Sequence, residues 1–427
     1  MVFEVGETVE VTTEDVAQGG WCVARPPGLP VLFVRHALPG ERVLARVTEV
    51  TSRFARADAV EVREPSQDRV APPCPYAHPG GCGGCDWQHA GLPAQRALKA
   101  AVIGQQLRRV AGIALDREVT VEPMPGDETG LGWRTRVQFA VRHDGVAGLR
   151  KHRSHEVTGI DDCLIAHQEI RDLAIPRRRW PGTKAVEAIT GSQGPSGEPA
   201  QRAVIVTPAR SGPPPEMPAV PSESLLSRNR RRLTPLRGGG YLTQHAAGRA
   251  WRVSAGAFWQ VHPAAADTLT GAVLAVLEPK PGDTALDLYC GAGLFAGAVA
   301  AKVGAGGAVI GIEEDTAAVR DARHNLRDMP WAQVRKGDVA RVLRQHALPQ
   351  ARLVVADPPR AGLAREVTGY LTAGHGAERL CYVSCDPATL ARDLGLLLAA
   401  GWRLDELRAF DAFPMTHHVE CVAALSR

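Results

Sequence analysis

Long apolar runs are missing from this 427-residue chain: no window approaches the ~18 uninterrupted apolar residues that a membrane helix needs. Its start, MVFEVGETVEVTTEDV, has neither a basic leader nor an apolar stretch behind it, so the chain reads as cytoplasmic and without a membrane partner. Cysteine is sparse. Nine residues at uneven spacing, an odd number, exclude a disulfide framework and point to thiol chemistry or metal ligation. No collagen-like period, long low-complexity tract or heptad run accompanies the 44 Gly and 32 Pro, which rules out fibrous and wholly disordered readings. A large charge excess is lacking too, the net being +4.

What is present is 44% apolar against 22% charged residues, enough for a buried core. At roughly 100 to 200 residues per domain the chain should hold two to four domains. The small net charge hides an uneven distribution. Residues 1–63 carry 7 Arg/Lys and 9 Asp/Glu and residues 281–427 carry 16 and 17, so the totals of 50 and 46 leave 27 and 20, an excess of +7, for residues 64–280. It is sharpest at Arg177, Arg178 and Arg179 and at Arg228, Arg230, Arg231 and Arg232, where RNA phosphates could be gripped. A solvated loop is the plainer account of the second group. Nothing in the sequence sets the oligomeric state, and a monomer is expected.

Residues 1–63 read as short strands between turn residues: VGETVEVT, WCVAR, VLFVRHA, ERVLARVTEV and ARADAVEV. That spacing predicts a small five-stranded OB-like β-barrel, whose pattern resembles the TRAM domain, an RNA-binding module. A polar linker leads to a cysteine cluster and a central domain, 74–255, that alternates helical and strand-like stretches and is read as α+β. Its piece TPARSGPPPEMPAVPSES, 207–224, is expected to be a mobile loop. From 256 to 427, apolar strands alternate with amphipathic helices, which predicts an α/β, doubly wound parallel sheet.

Within that sheet Asp287-Leu288-Tyr289-Cys290-Gly291-Ala292-Gly293 ends a strand and opens a helix. Glycine there allows a tight turn and close approach of a ligand, and Glu313, about 20 residues on, ends the next strand where it can hold ribose hydroxyls. Loop plus acid narrows the ligand to a dinucleotide or S-adenosylmethionine. Ala296 leaves the loop compatible with both. Asp357-Pro358-Pro359-Arg360 then closes the fourth strand at the edge where methyltransferases place substrate-contacting groups, and a hydride-transfer enzyme has no use for it. Arg360 stands where an amine methyltransferase would carry a stacking aromatic residue.

Cys385 follows the strand Leu380 to Ser384 at the same crevice, and that position makes it a candidate nucleophile. Cys290, Cys381 and Cys421 are read instead as small buried hydrophobes. Phe413-Pro414-Met415-Thr416-His417-His418-Val419-Glu420 precedes the last strand and brings a carboxylate to the crevice. A thiol, a methyl donor and a carboxylate fit methylation at pyrimidine C5: the thiolate adds to C6, C5 takes the methyl group, and a base, Glu420, removes the C5 proton. A cytosine C5 enzyme would place its cysteine after a proline, and the Pro73-Cys74 pair lies elsewhere. A catalytically silent RNA-binding protein would not need these groups.

The pieces AFWQVHP (257–263), DLYCGAGLF, GIEED, DPPRAGL, YVSCDPATLARDL and FPMTHHVECV resemble, in order and over nearly the whole chain, the S-adenosylmethionine-dependent RNA uracil-5 methyltransferases. The resemblance implies a class I methyltransferase sheet, with Gln260, Tyr289, Gly291, Gly293, Glu313 and Asp357 lining the donor site, Asp338 beside the adenine, Cys385 as nucleophile and Glu420 as proton acceptor. Three residues depart from the family pattern: His262 for Asn, Asp386 for Asn, and Met415 for a polar residue. Asp386, beside Cys385, is expected to raise the thiol pKa unless it points away.

Cys74, Cys82 and Cys85 fall within twelve residues, and Cys163 could supply a fourth thiol. Spacing alone leaves a four-iron four-sulfur cluster and a structural zinc open, with His78 and His89 as alternative zinc ligands. The resemblance implies the iron-sulfur cluster, with Pro79 and Gly80 looped out. The barrel together with these cysteines resembles the ribosomal-RNA branch of the family, with transfer RNA as the alternative substrate.

Overall fold

Alternation of buried and exposed residues builds the first sheet of the computed structural model, which describes residues 3–115, 117–210, 215–230, 232–345 and 348–427. Val43, Ala45 and Val47 on one strand and Ala55, Ala57 and Ala59 on its neighbour all turn inward. Six strands take part: β1 (Thr8–Thr12), β2 (Asp15–Ala17), β3 (Trp21–Ala24), β4 (Val31–Arg35), β5 (Arg42–Val50) and β6 (Phe54–Glu64), in the order β1-β5-β6-β4-β3-β2. The expected five-stranded barrel thus gains a strand, because three residues are too few to display a period.

After the cysteine-bearing segment comes helix α1 (Leu92–Gln106), with Pro93 in its first turn. Gln95, Lys99, Val102 and Ile103 share its buried face. Two of these four are polar, and both find partners in the loop at the far end of the chain: Lys99 Nζ pairs with Asp411 and donates to Phe413 O at 3.0 Å, and Gln95 Oε1 accepts from Met415 N at 2.7 Å.

Strand β7 (Val121–Pro123) follows, and then the central sheet: β8 (Arg136–Val141), β9 (Ala147–Arg150), β10 (Val157–Gly159), β11 (Thr183–Thr190), β12 (Arg202–Pro208), β13 (Ser224–Asn229) and β14 (Arg232–Arg237), ordered β10-β9-β8-β11-β12-β13-β14. The hairpin β15 (Tyr241–Ala246) and β16 (Arg249–Ser254) leads out of it. Of the stretch expected to be a mobile loop, Thr207 and Pro208 belong to β12 and residues 211–214 lie outside the described residues. The remainder is anchored: Val220 and Ser222 are buried, Arg178 Nη1 donates to Ala219 O at 2.7 Å, and Arg237 Nη2 donates to Val220 O and Ser222 O at 2.9 and 2.7 Å.

The last sheet holds β17 (Thr284–Leu288), β18 (Ala308–Glu313), β19 (Ala332–Lys336), β20 (Leu353–Ala356), β21 (Arg379–Ser384), β22 (Arg403–Asp411) and β23 (Glu420–Ser426), ordered β19-β18-β17-β20-β21-β23-β22-β7. Its first five strands in that order are parallel, and β23 runs antiparallel to both β21 and β22. LVVA of β20 is buried throughout, as a strand covered on both faces must be. This is the doubly wound α/β sheet expected, beside the N-terminal β-rich domain. The strand at its far edge, β7, comes from outside 256–427 and pairs in parallel with β22, while the Arg408 guanidinium grips the Glu122 carboxylate at 2.8 and 2.9 Å. Among the described residues no helix is long and apolar enough to cross a membrane.

Removing one partner of a buried ion pair strands the other charge, at a cost of about 3–5 kcal/mol. Lys99→Met should therefore lower the unfolding free energy by about that much, read from the urea midpoint at constant slope. A loss below about 1 kcal/mol would show that Asp411 finds a proton or another donor in the variant.

Candidate active site

The carboxyl ends of parallel strands open a crevice where neighbouring connections diverge, here between β17 and β20. At the end of β17, Tyr289 has φ +70°, Gly291 +53° and Gly293 +91°. Positive φ is cheap for the glycines and strained for Tyr289. A Cβ on Gly291 would meet nothing within 4 Å, so open space lies before it, whereas one on Gly293 would press on Ala322 and Leu326 at 3.3 Å. The first glycine therefore faces the ligand space and the second lets helix Thr316–Asn325 approach. Glu313 Oε2 accepts from Gly291 N at 2.9 Å and its Oε1 from Asp315 N at 2.7 Å. Each oxygen keeps a lone pair for a hydroxyl.

Asp338, just beyond β19, is exposed; its Oδ1 accepts from Arg341 N at 2.8 Å, and its charge acts on the Tyr289 hydroxyl, which burial pushes up to about 12. Gln260 is buried. His262, one of the three departures, stacks on Trp133 with Nε2 3.6 Å from Asp127 Oδ2.

On the reaction side, the β21–β23 register ends at Ser384 opposite Cys421, and one step further stand Cys385 and Glu420. Asp357 leaves β20, the next strand over. Burial raises the Glu420 carboxyl well above its ordinary range, and the Asp357 charge raises it further against the pull of Arg360. Burial raises Asp357 as well. Asp287 is pushed up to about 8, chiefly by burial; its Oδ2 accepts from Ala296 N at 2.7 Å, and its Oδ1 has no partner among the described residues. The half-buried Cys385 thiol is pushed up to about 12 by burial and Glu420, with Arg360 opposing. Asp386 acts on it least of the charges that do, because it is turned into the helix Pro387–Ala399, where Oδ1 caps Ala388 N and Thr389 N at 3.0 and 2.9 Å. Buried acids gathered against Arg360 make a crevice suited to a cation, and S-adenosylmethionine carries a sulfonium and an ammonium.

The structure brings Cys74, Cys82, Cys85 and Cys163 to one cavity of about 250 Å³, also lined by Gln88 and Arg134. Amide donors point at two of the sulfurs: Gly84 N lies 3.3 Å from Cys82 Sγ and Gln88 Nε2 3.2 Å from Cys85 Sγ. Among the described residues no three His, Cys, Asp or Glu side chains converge to hold a single metal ion. His78 Nδ1 faces Pro79 O, and His89 is buried toward Ala37 O, so neither lines the cavity. Cys290, Cys381 and Cys421 are buried as expected.

Of the arginine runs, Arg177, Arg178 and Arg179 donate to carbonyls of Asp161, Leu173, Ala219 and Asp144, and among the described residues none of the three forms an ion pair. Arg228 is paired with Glu187 at 2.9 Å, and Arg231 lies outside the described residues. Residues missed in the sequence are Asp86, Gln95 and Lys99, all of which contact the loop that leads to Glu420. No local signal could find them, since their partners lie more than 300 residues away.

The family model described as tRNA (Uracil-5-)-methyltransferase matches residues 243–427, and that of the TRAM domain residues 2–60. An uncharacterized RNA methyltransferase of Streptomyces coelicolor is 51% identical over 99% of this chain and 93% of its own length. A second, of Bifidobacterium longum, is 36% identical over 98% and 96%. The crystal structure of Pyrococcus abyssi tRNA (uracil-54, C5)-methyltransferase with S-adenosyl-L-homocysteine shares the fold over 98% of this chain and all of its own, with a TM-score of 0.72 at 23% identity.

A thiol that titrates near 12 reacts through a minor thiolate at neutral pH. In the free protein, alkylation of Cys385 by iodoacetamide, followed by peptide mass mapping, should be slow at pH 7 and climb through pH 9 without levelling. Arg360→Ala, which removes the charge favouring the thiolate, should slow it further. A plateau below pH 9 would mean that the thiolate is already formed.

Proposed function

The chain belongs to the S-adenosylmethionine-dependent RNA uracil-5 methyltransferases, and we propose that it methylates C5 of a uridine in structured RNA through a covalent bond between Cys385 and C6. The adjacency of Cys385 and Glu420 across the β21–β23 pair is the observation that carries this reading. Cys385 gives its proton to solvent and forms the S–C6 bond, and the C5–C6 π electrons move to give an enolate nucleophilic at C5. S-adenosylmethionine, when bound, supplies an electrophilic methyl group, its sulfur keeping the electron pair of the broken S–CH3 bond as C5 takes the carbon. Glu420 then accepts the C5 proton, the C5=C6 bond re-forms, and the S–C6 pair returns to Cys385 as thiolate. Asp357, beside both groups, contacts the substrate and holds the Glu420 proton equilibrium up. Gln260, Tyr289, Gly291, Gly293, Glu313, Asp338 and Asp357 line the donor site; Glu313 binds the ribose hydroxyls and the neighbouring acids favour the cationic donor over its neutral thioether product.

A uracil must be unstacked before Cys385 reaches C6, at a cost of ~a few kcal/mol that phosphate contacts offset. The charges of Arg177 to Arg179 and the TRAM domain supply them. Ribosomal RNA is the first reading of the substrate, from the barrel and cysteines together. Transfer RNA is the second, because the Pyrococcus abyssi protein, alike in fold over 98% of this chain, is a tRNA enzyme by name. Mass mapping of 5-methyluridine in both RNAs, with and without the gene, separates them.

The four thiols around one cavity, with N–H donors aimed at sulfur, offer the donor set that a four-iron four-sulfur cluster takes, with zinc as the alternative. The reaction moves no electrons through it, so its part is structural.

Cys385→Ala should abolish turnover and leave donor affinity within a few-fold, since the thiol bonds to uracil and not to the donor. Glu420→Gln should still methylate but fail to eliminate, leaving a protein–RNA adduct on denaturing gels; methylation without Cys385 would overturn the assignment. Anaerobically purified protein should be brown, carry about four irons, and lose them in Cys82→Ser or Cys85→Ser. Stoichiometric zinc without iron is the opposing result.

A further inference from the structure

The loop Ala412–Val419, between β22 and β23, is held by groups from three distant parts of the chain. At its centre Met415 is buried with φ +66°, a conformation that side-chain-bearing residues rarely adopt. Its N–H donates to Gln95 Oε1 at 2.7 Å, and its carbonyl accepts from Asp86 N at 2.9 Å and Trp87 N at 3.0 Å. Asp86 Oδ2 accepts from His417 N at 3.1 Å and lies 2.6 Å from His417 Nδ1. Lys99 reaches Phe413 O at 3.0 Å. The Met415 side chain packs on Trp133 and Ile165, with Cys85 and Cys163 alongside. A Cβ on Gly130 would lie 2.9 Å from Met415 Cε. From the other side the barrel closes on the same point: Trp87 Nε1 donates to Gly20 O at 3.2 Å, Arg35 Nη2 is 3.8 Å from Asp86 Oδ1, and Gly20 leaves only 3.2 Å to His417 Cβ where its own Cβ would stand.

We infer that Asp86 and Gln95 are positioning residues for the elimination step: by fixing Met415 and His417 they set the place of Glu420, so the cysteine-bearing segment acts on catalysis through Asp86. This rests on Glu420 being the base. Proton removal from C5 needs the carboxylate in line with one C–H bond, and a displacement of about 1 Å can cost on the order of a hundredfold. Addition of Cys385 to C6 draws on this loop only indirectly, through Arg360, whose Nη2 lies 3.3 Å from His418 Nε2. Loosening it should therefore slow breakdown of the adduct more than its formation.

The test uses the full-length, iron-loaded protein with a substrate RNA, following adduct formation and decay on denaturing gels, donor affinity, iron content, and hydrogen exchange of peptides covering 412–419. Asp86→Asn, His417→Asn and Gln95→Met should each form adduct near the wild-type rate and release it at least about tenfold more slowly, with faster exchange in 412–419 and donor affinity within about twofold. The Asp86→Asn/His417→Asn double variant should be no worse than the worse single, because both remove one contact. Gln95→Met, away from the thiols, keeps the test sound if Asp86→Asn loses iron. Faster exchange with wild-type adduct decay would overturn the positioning role. Glu420→Gln is run alongside: if it traps adduct and the others do not, only the cradle fails, whereas if it traps none, the assignment of the base fails first.

Discussion

One antiparallel strand in an otherwise parallel neighbourhood makes the site possible. Parallel strands deliver their last residues to the crevice, as β17, β18, β20 and β21 deliver Tyr289, Glu313, Asp357 and Cys385. An antiparallel neighbour delivers its first residue to the same edge, and β23 begins at Glu420. The chain can thereby set a thiol and a carboxyl side by side from segments 35 positions apart in sequence. Their register is fixed by packing on both faces: Cys421, Ala423 and Leu425 belong to one core, Val422 and Ala424 to the other. A slip of one residue would exchange the two sets and carry Glu420 away from Cys385.

The same closeness makes the resting site reluctant to ionise. Glu420, Asp357 and Asp287 are raised chiefly by burial, Glu420 and Asp287 further by Asp357, and Cys385 is raised by burial and Glu420. Each is thereby shifted toward its neutral form. Arg360 opposes the shift of both Glu420 and Cys385, and an arriving cation would oppose it further. A cation in this crevice would be attracted by the acids and would return them toward the charged form.

Much of this was legible in the sequence because it is local. The glycine loop, the acid ending the next strand, Asp357 and Cys385 each follow an apolar strand directly, so strand periodicity placed them at one edge without any knowledge of contacts. What escaped is what depends on distance or on short elements. Asp15–Ala17 is too brief to show a period, and β7 enters the catalytic sheet only by pairing with β22, about two thirds of the chain's length away. Gln95 and Lys99 look like the polar face of an ordinary helix until Met415 and Asp411 are seen against them. Asp386 looked like a threat to its neighbour; as a helix cap it is turned aside, and the sequence Asp-Pro at a helix start already carried that alternative.

Strain explains why the barrel, the cysteine-bearing segment and the catalytic sheet belong to one chain. Holding Met415 in a left-handed conformation costs roughly 1–3 kcal/mol, and each buried hydrogen bond returns about 1 kcal/mol. The three bonds to its backbone come from Gln95 on α1 and from Asp86 and Trp87 beside Cys85. No single element supplies them all, and Trp87 is itself held by Gly20 of the barrel. The loop is therefore stable in this shape only when all three parts are docked. A catalytic sheet freed of its N-terminal half would lose these three bonds, and with them the hold on the segment that leads to Glu420.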